Sequence, residues 1–317
     1  LFDLPEKEKY AKAKTDMIKV INETFWCDDE GLYLNRYTTG QWASAFGATS
    51  FYPLIAGAVD TADKLSAIVN NLTDTKKFWG DYVIPTLSAN NKEYGRASKP
   101  DNNGKRTPSY LQYRGSIVPY VNFIVYHGLK RYGLDEIAGS FARKSAALWA
   151  ANESDNVENY SVYLPKGKRA RVDDYISTNG NMLALIGLQE LIDIEYFRPD
   201  LKDAISFGTF LNGTNSVSNL TLTGHVYSIE VTDESTALIM DDVNMFKGEG
   251  GKFIVRNFVL DGKGGCEFMI DARQNISINL AIPSSNKKNV KYFFIVPFGK
   301  SMIKASDGMV NITKIDV

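Results

Sequence analysis

Cysteine and histidine are nearly absent: Cys27, Cys266, His127 and His225 are all there are in 317 residues. Neither cysteine belongs to a CxxC pair and the histidines lie far apart, so no structural zinc site and no HExxH-type hydrolase motif is encoded. No metal and no cofactor are expected, and nothing supports a disulfide between the two cysteines. No apolar run reaches the ~18 residues of a membrane span. No Lys/Arg-dense block occurs either. With 36 basic and 37 acidic residues the formal net charge is −1, which argues against nucleic acid or an anionic membrane as the main partner. No signal peptide is visible. The chain opens at Leu1 rather than Met, and the expectation is a processed or truncated product. The compartment is not written in these residues, and a periplasmic or secreted setting is the one favoured.

Apolar residues make up 44% of the chain and aromatics 12%, with 17 Tyr and 17 Phe. This is globular composition, long enough for one large core or two domains. Aromatics build cores, and they also stack on the apolar faces of sugars in binding clefts. Composition does not separate the two.

The pattern changes once along the chain. Residues 5–24 predict a helix, with Pro5 in its first turn and Tyr10, Met17, Val20 and Ile21 at helical spacing. The turn Cys27–Gly31 ends it. A second helix is predicted over Asp60–Asn71, capped by Asp60 or Thr61. A polar loop of roughly twenty residues from Thr86 to Pro108 is long enough to be functional. Helices follow over Pro119–Tyr132, closed by Gly133, then Asp135–Ala151 and Thr178–Tyr196. After Pro199 short strand-like runs separated by Gly, Asn and Asp turns take over, among them His225–Val231, Phe253–Leu260 and Tyr292–Val296. Gly248–Gly251 and Gly262–Gly265 read as hairpin turns, since neither has the strand-to-helix setting of a phosphate loop. Strands at about ten-residue spacing predict a β-sandwich. The expected architecture is multidomain, α then β. Residues 1–204 form an (α/α) toroid of helical hairpins, incomplete at its N-terminus with six or seven helices, and 205–317 form the β-sandwich.

Three segments carry a family resemblance. The first is Phe25-Trp26-Cys27-Asp28-Asp29-Glu30-Gly31-Leu32-Tyr33 followed by Phe51-Tyr52-Pro53-Leu54-Ile55-Ala56-Gly57. The second is Tyr113-Arg114-Gly115-Ser116-Ile117-Val118-Pro119-Tyr120-Val121-Asn122, running into Gly128-Leu129-Lys130-Arg131-Tyr132-Gly133. The third is Glu158-Asn159-Tyr160, then Pro165-Lys166-Gly167 and Thr178-Asn179-Gly180-Asn181-Met182. In this order they resemble the toroid glycoside hydrolases of families 37 and 63, the trehalases and processing glucosidases, together with mannosylglycerate hydrolase. The resemblance covers roughly residues 20–195. Tyr113 and Pro119 stand where tryptophans are usual, and Ser177-Thr178-Asn179-Gly180 replaces an aromatic-small pair. These departures bear on the substrate.

The resemblance implies an inverting hydrolase of an α-linked glucoside or mannoside, with an oligosaccharide or glycoside as its partner. It gives Glu158 the place of the general base. An inverting enzyme needs a carboxylic acid to protonate the leaving oxygen and a carboxylate to activate water, about 6.5–9.5 Å apart. A single Glu in a loop between two core helices, with Val157 before it and Asn159-Tyr160 after, is where a scaffold presents such a group. By helix count the family's acid would precede Leu1, so an upstream polypeptide completing the barrel is a further expected partner.

Five residues join Glu158 as substrate-binding candidates. Arg114 has a planar fork suited to sugar hydroxyls or a carboxylate, or it forms a salt bridge at a helix start. Trp42 stacks on sugar or packs in the core. Tyr160 lines the same subsite or packs. Tyr52 and Tyr113 enter through the quoted motifs. Asp81, after Trp79-Gly80, is the best stand-in acid within the chain, whereas Asp28 and Asp29 read as turn formers and Asp173-Asp174 as solvated charge. His127, mid-helix between Tyr126 and Leu129, reads as a core or surface histidine.

Two other function classes compete. A polysaccharide lyase would suit toroid plus sandwich, but it wants a Tyr/His pair and only His127 is available in the helical half. A non-catalytic carbohydrate-binding or scaffold protein would explain a short helical half. Fold analogy alone does not choose among them.

Overall fold

A computed structural model describes residues 6–95, 114–152, 160, 178–198, 200–285 and 288–315. The chain divides into two compact units, Leu1–Ile186 and Gly187–Val317. Helical hairpins come first and a two-sheet β-sandwich follows, as the periodicities predict. No helix among the described residues is long and apolar enough to cross a membrane.

The first unit opens with α1 (Lys7–Phe25), and a two-stranded hairpin follows, β1 (Trp26–Cys27) with β2 (Leu32–Tyr33). Gly31 takes the left-handed conformation its turn requires, at φ 62°. The apolar stripe of α1 is largely exposed: Tyr10 and Met17 keep 60% and 59% of their surface. Its C-terminal end is tied down where Asn22 donates to the Ala58 carbonyl and accepts from Tyr33 and Lys64. Helix α2 (Tyr52–Ala56) ends at Gly57 in the left-handed conformation. Helix α3 (Ala62–Thr73) is capped by Thr61, whose hydroxyl accepts from the Lys64 amide.

Helices α4 (Pro119–Arg131) and α5 (Asp135–Ala150) form a hairpin. Gly133 sits at its turn with φ 67°. Helix α2 lies against α4, and Gly128 permits the approach, because a methyl group there would come 2.7 Å from Leu54 Cβ. Arg131 donates to the Ile55 carbonyl at 2.7 Å, and the Tyr132 hydroxyl bonds both the amide and the carbonyl of Val59. The first two family-like segments are thus packing partners of one another. Phe51, Leu54, Ile68, Phe78, Val125, Tyr126 and Phe141 form the core between them. His127 is buried there, edge-on to Phe123 and Tyr126.

Helix α6 (Asn181–Leu191) ends earlier than the periodicity predicts, because Ile192–Ile194 is a strand, β3. It pairs antiparallel with β4 (Ile205–Phe207), Ile192 opposite Phe207 and Ile194 opposite Ile205. Ile192 is buried in the sandwich core, and two β-branched residues flanking Asp193 fit a pleated surface better than a helix. Strands β3 and β4 lie on either side of position 204.

The sandwich continues with β5 (Asn215–Leu222), β6 (His225–Val231), β7 (Ser235–Met240), β8 (Val243–Glu249), β9 (Phe253–Leu260), β10 (Cys266–Ala272), β11 (Ile276–Ile282), β12 (Val290–Val296), β13 (Gly299–Ser306) and β14 (Met309–Lys314). One six-stranded sheet runs β14-β13-β10-β9-β4-β3 and the other β12-β11-β8-β7-β6-β5. In strands such as β10 and β11 inward and outward residues alternate as a half-buried pleat demands. In β11 Ile276, Ile278, Leu280 and Ile282 face inward, while in β12 Phe293 and Ile295 point out. Both cysteines are buried free thiols, Cys27 in β1 and Cys266 in β10.

Candidate functional site

Four stretches that look like loops in the sequence meet in an irregular antiparallel ladder. The Ser88 amide donates to the Phe46 carbonyl at 2.8 Å and the Ala48 amide to that of Thr86 at 3.1 Å. The Thr86 amide in turn donates to the Ser116 carbonyl at 3.0 Å, and the Gly115 amide to the Thr86 hydroxyl at 3.1 Å. At the far side Ile117 and Tyr160 exchange two backbone hydrogen bonds, both 2.9 Å. The beginning of the predicted polar loop is therefore buried structure, with Ser88 fully enclosed.

Asn122 of α4 anchors this ladder. Its side chain is fully buried, accepts from the Ile84 amide at 2.9 Å, and donates to the Val83 carbonyl and to the Ser145 hydroxyl of α5. It satisfies backbone groups at a place where water has no access. Gly115 is needed beside it: at φ 117° a methyl group would lie 2.6 Å from the Tyr94 ring.

Arg114 stands at the open edge of this ladder. Its carbonyl accepts from the Gly95 amide at 2.7 Å, and its guanidinium meets the Glu93 carboxylate at 3.2 Å. Roughly a third of the Arg114 side chain is exposed, so the ion pair holds the fork in position and adds little stability. Tyr160 is fully buried, packed with Ile117, Leu148 and Leu183. Its ring anchors the ladder and is not presented to solvent.

Trp42 is half-buried on the hairpin that leads into Phe46, with the Arg36 guanidinium 5.0 Å from its ring. Tyr52 lines an apolar cavity of about 290 Å³ together with Ile21, Phe25, Tyr33 and Pro53. Asp81 is exposed, and its carbonyl accepts from Lys144. Asp28 accepts from the Trp26 indole at 2.6 Å, in keeping with its turn. Glu158, Tyr113 and Asp173-Asp174 lie outside the described residues. The structure thus joins the backbones of Arg114's segment and Tyr160, while Trp42 and Tyr52 occupy surroundings of their own. Among the described residues no three His, Cys, Asp or Glu side chains cluster as metal ligands.

Asn122, Thr86, Glu93 and Tyr94 escaped the sequence reading. Asn122 carried a signal, a polar residue on the same helix face as Val125 and Leu129. The others sit in a stretch without periodicity.

The family model of the mannosylglycerate hydrolase MGH1-like glycoside hydrolase domain matches residues 3–174, more than half of the chain. The chain belongs to this family. All six candidate residues fall inside the matched segment. A GH63 mannosylglycerate hydrolase from Thermus thermophilus, solved with glucose, is 17% identical over 57% of this chain and 39% of that one, with a TM-score of 0.40. A solved sialidase is 16% identical over 78% of this chain and 24% of that one, with a TM-score of 0.56; this is a likeness of fold. An uncharacterized protein of Borreliella burgdorferi is 25% identical over 133 residues, 42% of this chain. The chain spans a quarter of the length of that curated relative. A glycoside hydrolase family follows for residues 3–174.

Proposed function

We propose that this domain belongs to an inverting hydrolase of α-linked glucosides or mannosides in which Glu158 is the general base. Glu158 takes a proton from water, the water oxygen attacks the anomeric carbon, and the glycosidic C–O bond breaks as an acid protonates the departing oxygen. The observation that carries the reading is the paired hydrogen bond between Ile117 and Tyr160. Tyr160 follows Glu158 by two residues, a reach of at most ~7 Å along the chain, and Ile117 follows Arg114 by three. This pairing supports the reading that Glu158 and Arg114 act close together. Arg114, already oriented by Glu93, would bind substrate hydroxyls or steer the base. Tyr160 then acts as a positioning residue. Trp42, Tyr52 and Tyr113 are the remaining proposed sugar contacts. The acid is proposed to come from polypeptide preceding Leu1.

The test compares residues 1–317 with a protein extended upstream, on aryl α-glycosides, disaccharides and a mannosylglycerate-like substrate. The extended protein should release product of inverted anomeric configuration, followed by NMR. Glu158→Gln should lower kcat by roughly 10³-fold or more with the fold intact. Full activity of Glu158→Gln, or a retained configuration, would sink the reading. Robust turnover by residues 1–317 alone would move the acid inside the chain, with Asp81 the first residue to replace.

A further inference from the structure

The β-sandwich has a cavity of its own, of about 350 Å³, at the end where the β3–β4, β5–β6, β7–β8, β9–β10 and β11–β12 connections converge. Its inner walls are Ile205, Met240, Met245 and Phe258, all buried residues of the sandwich core, with Tyr227 alongside. A well-filled sandwich would have no space there.

Three β-bulges border it. On β9 one extra residue intervenes between the pairs Ile205–Phe258 and Phe207–Val255, with Asn257 at φ 55°. On β8 Met245 is the unmatched residue between Leu238–Phe246 and Ile239–Asn244. On β5 the shift falls between Val217 and Leu220, across from Tyr227 and Ile229, with Asn219 at φ 58°. Each bulge adjoins a residue of the cavity wall: Phe258, Met245 or Tyr227. Bulges bend and twist a strand and re-aim its side chains, and they recur beside binding sites.

The mouth has a different chemistry. Ser285 and His225 stand at it beside Thr223, with Lys202 and Asp203 on the rim. Each basic group faces a carboxylate: His225 Nδ1 lies 2.6 Å from Asp241, and Lys202 lies 3.9 Å from Asp203. An ionic ligand would have to compete with these pairs, whereas hydroxyl groups can join the same donors and acceptors. The two thioethers and Phe258 inside offer a soft apolar floor. The volume is at the small end of ligand pockets, which run from roughly 300 to 1,000 Å³.

We infer that this cavity is a second binding site, independent of the glycosidase chemistry, for a small uncharged amphiphile whose apolar part enters between the sheets and whose hydroxylated head stays at the mouth. The β unit would hold an alkyl or aryl polyol, and its occupancy would not depend on Glu158.

Hexyl glucoside is the probe, titrated into the 317-residue chain carrying ¹³C-methyl methionine, with glucose, hexanoate and hexyltrimethylammonium as comparisons. The Met240 and Met245 methyl signals, assigned by Met240→Leu and Met245→Leu, should shift and saturate with a Kd of roughly 1 mM, about −4 kcal/mol. Glucose and both ionic amphiphiles should bind at least about tenfold more weakly. Ser285→Trp, at the exposed rim where folding is not at stake, should weaken hexyl glucoside by about tenfold or more. Unmoved methionine signals at 20-fold the expected ~1 mM constant would overturn the site. Equal binding of hexanoate or of the ammonium would overturn the uncharged head, and equal binding of glucose the apolar insertion. Undiminished binding by Ser285→Trp would overturn the location.

Discussion

Ile117 and Tyr160 donate to each other's carbonyls, both at 2.9 Å. They are the last rung of a ladder that reaches back through Thr86 to Ala48, so four distant pieces of chain share one rigid frame. Arg114 is three residues from one member of this pair, and Glu158 two residues from the other. As the proposed general base, Glu158 would need such support to act at a fixed point, because catalysis is sensitive to misplacement on the order of 1 Å.

The first prediction tests that support. Tyr160 is fully buried among Ile117, Leu148 and Leu183, and truncating it leaves a cavity. Tyr160→Ala should destabilise the helical unit by about 3 kcal/mol. If Glu158 is the base, activity of the upstream-extended protein should fall mainly in kcat. A urea titration of the 317-residue chain checks the first claim and steady-state kinetics the second; unchanged stability would show that the ring is not the anchor.

Gly128 should tolerate nothing larger. A methyl group would stand 2.7 Å from Leu54 Cβ and 3.0 Å from the Ile55 amide nitrogen, and backbone cannot move aside as a flexible side chain can. Gly128→Ala ordinarily favours a helix by up to ~1 kcal/mol, but here overpacking should win, with a net loss of roughly 1–3 kcal/mol. A Tm that rises in the variant would show that α2 and α4 can separate without penalty.

These cases show what was legible. Strand β6 was readable because outward and inward residues alternate, β9 and β12 because they are short runs rich in β-branched and aromatic residues, and α4 and α5 because their apolar faces repeat at helical spacing. The motifs Phe51–Gly57 and Gly128–Gly133 were visible as separate patterns. That Gly128, Arg131 and Tyr132 exist to receive Leu54, Ile55 and Val59 is a tertiary fact with no local signal. At Ile192 a helical pattern gave way to a strand because the sheet offered a partner in Phe207. The ladder through Thr86 and Gly115 was illegible, since it is made of isolated bridges that carry no period. The sandwich cavity is bordered by bulges at Asn219, Met245 and Asn257, and no run of side chains announces an extra residue in a strand.

Asn122 yields the next prediction. Its amide satisfies the Ile84 N–H and the Val83 carbonyl in a place that is fully buried. Asn122→Ala would leave both groups without a partner, at about 1–3 kcal/mol each. The expected loss is roughly 3 kcal/mol, and it should exceed that of Ser145→Ala, which removes only one partner at 3.2 Å. Hydrogen exchange at the Ile84 amide should accelerate in Asn122→Ala. Exchange as slow as in the parent would contradict the role assigned to Asn122.

Stability should fall on the alkaline side. Burial pushes the Cys266 thiol from 9.0 to about 12, with Asp261 adding to the shift, and burial, with Asp193, pushes the Tyr196 phenol up to about 12. Tyr33, Tyr132, Tyr227 and Tyr292 are raised as well, each chiefly by burial. The sign follows from proton counting: between about pH 9 and 12 the unfolded chain gives up protons that the native state keeps, so stability falls as pH rises. Below about pH 8 these groups are almost fully protonated in both states and contribute little to the slope. Cys266 alone, buried to 4% exposure, should contribute a fall of up to ~1.4 kcal/mol per pH unit in that window. Urea midpoints at pH 7, 8, 9.5 and 10.5 should therefore be level for the first two and then drop. The same burial protects the thiols: at pH 8 an aromatic disulfide reagent should leave Cys266 and Cys27 unmodified in the native protein and titrate both in urea. A stability profile flat through pH 10.5, or rapid modification of Cys266 without denaturant, would contradict its place in the sandwich core.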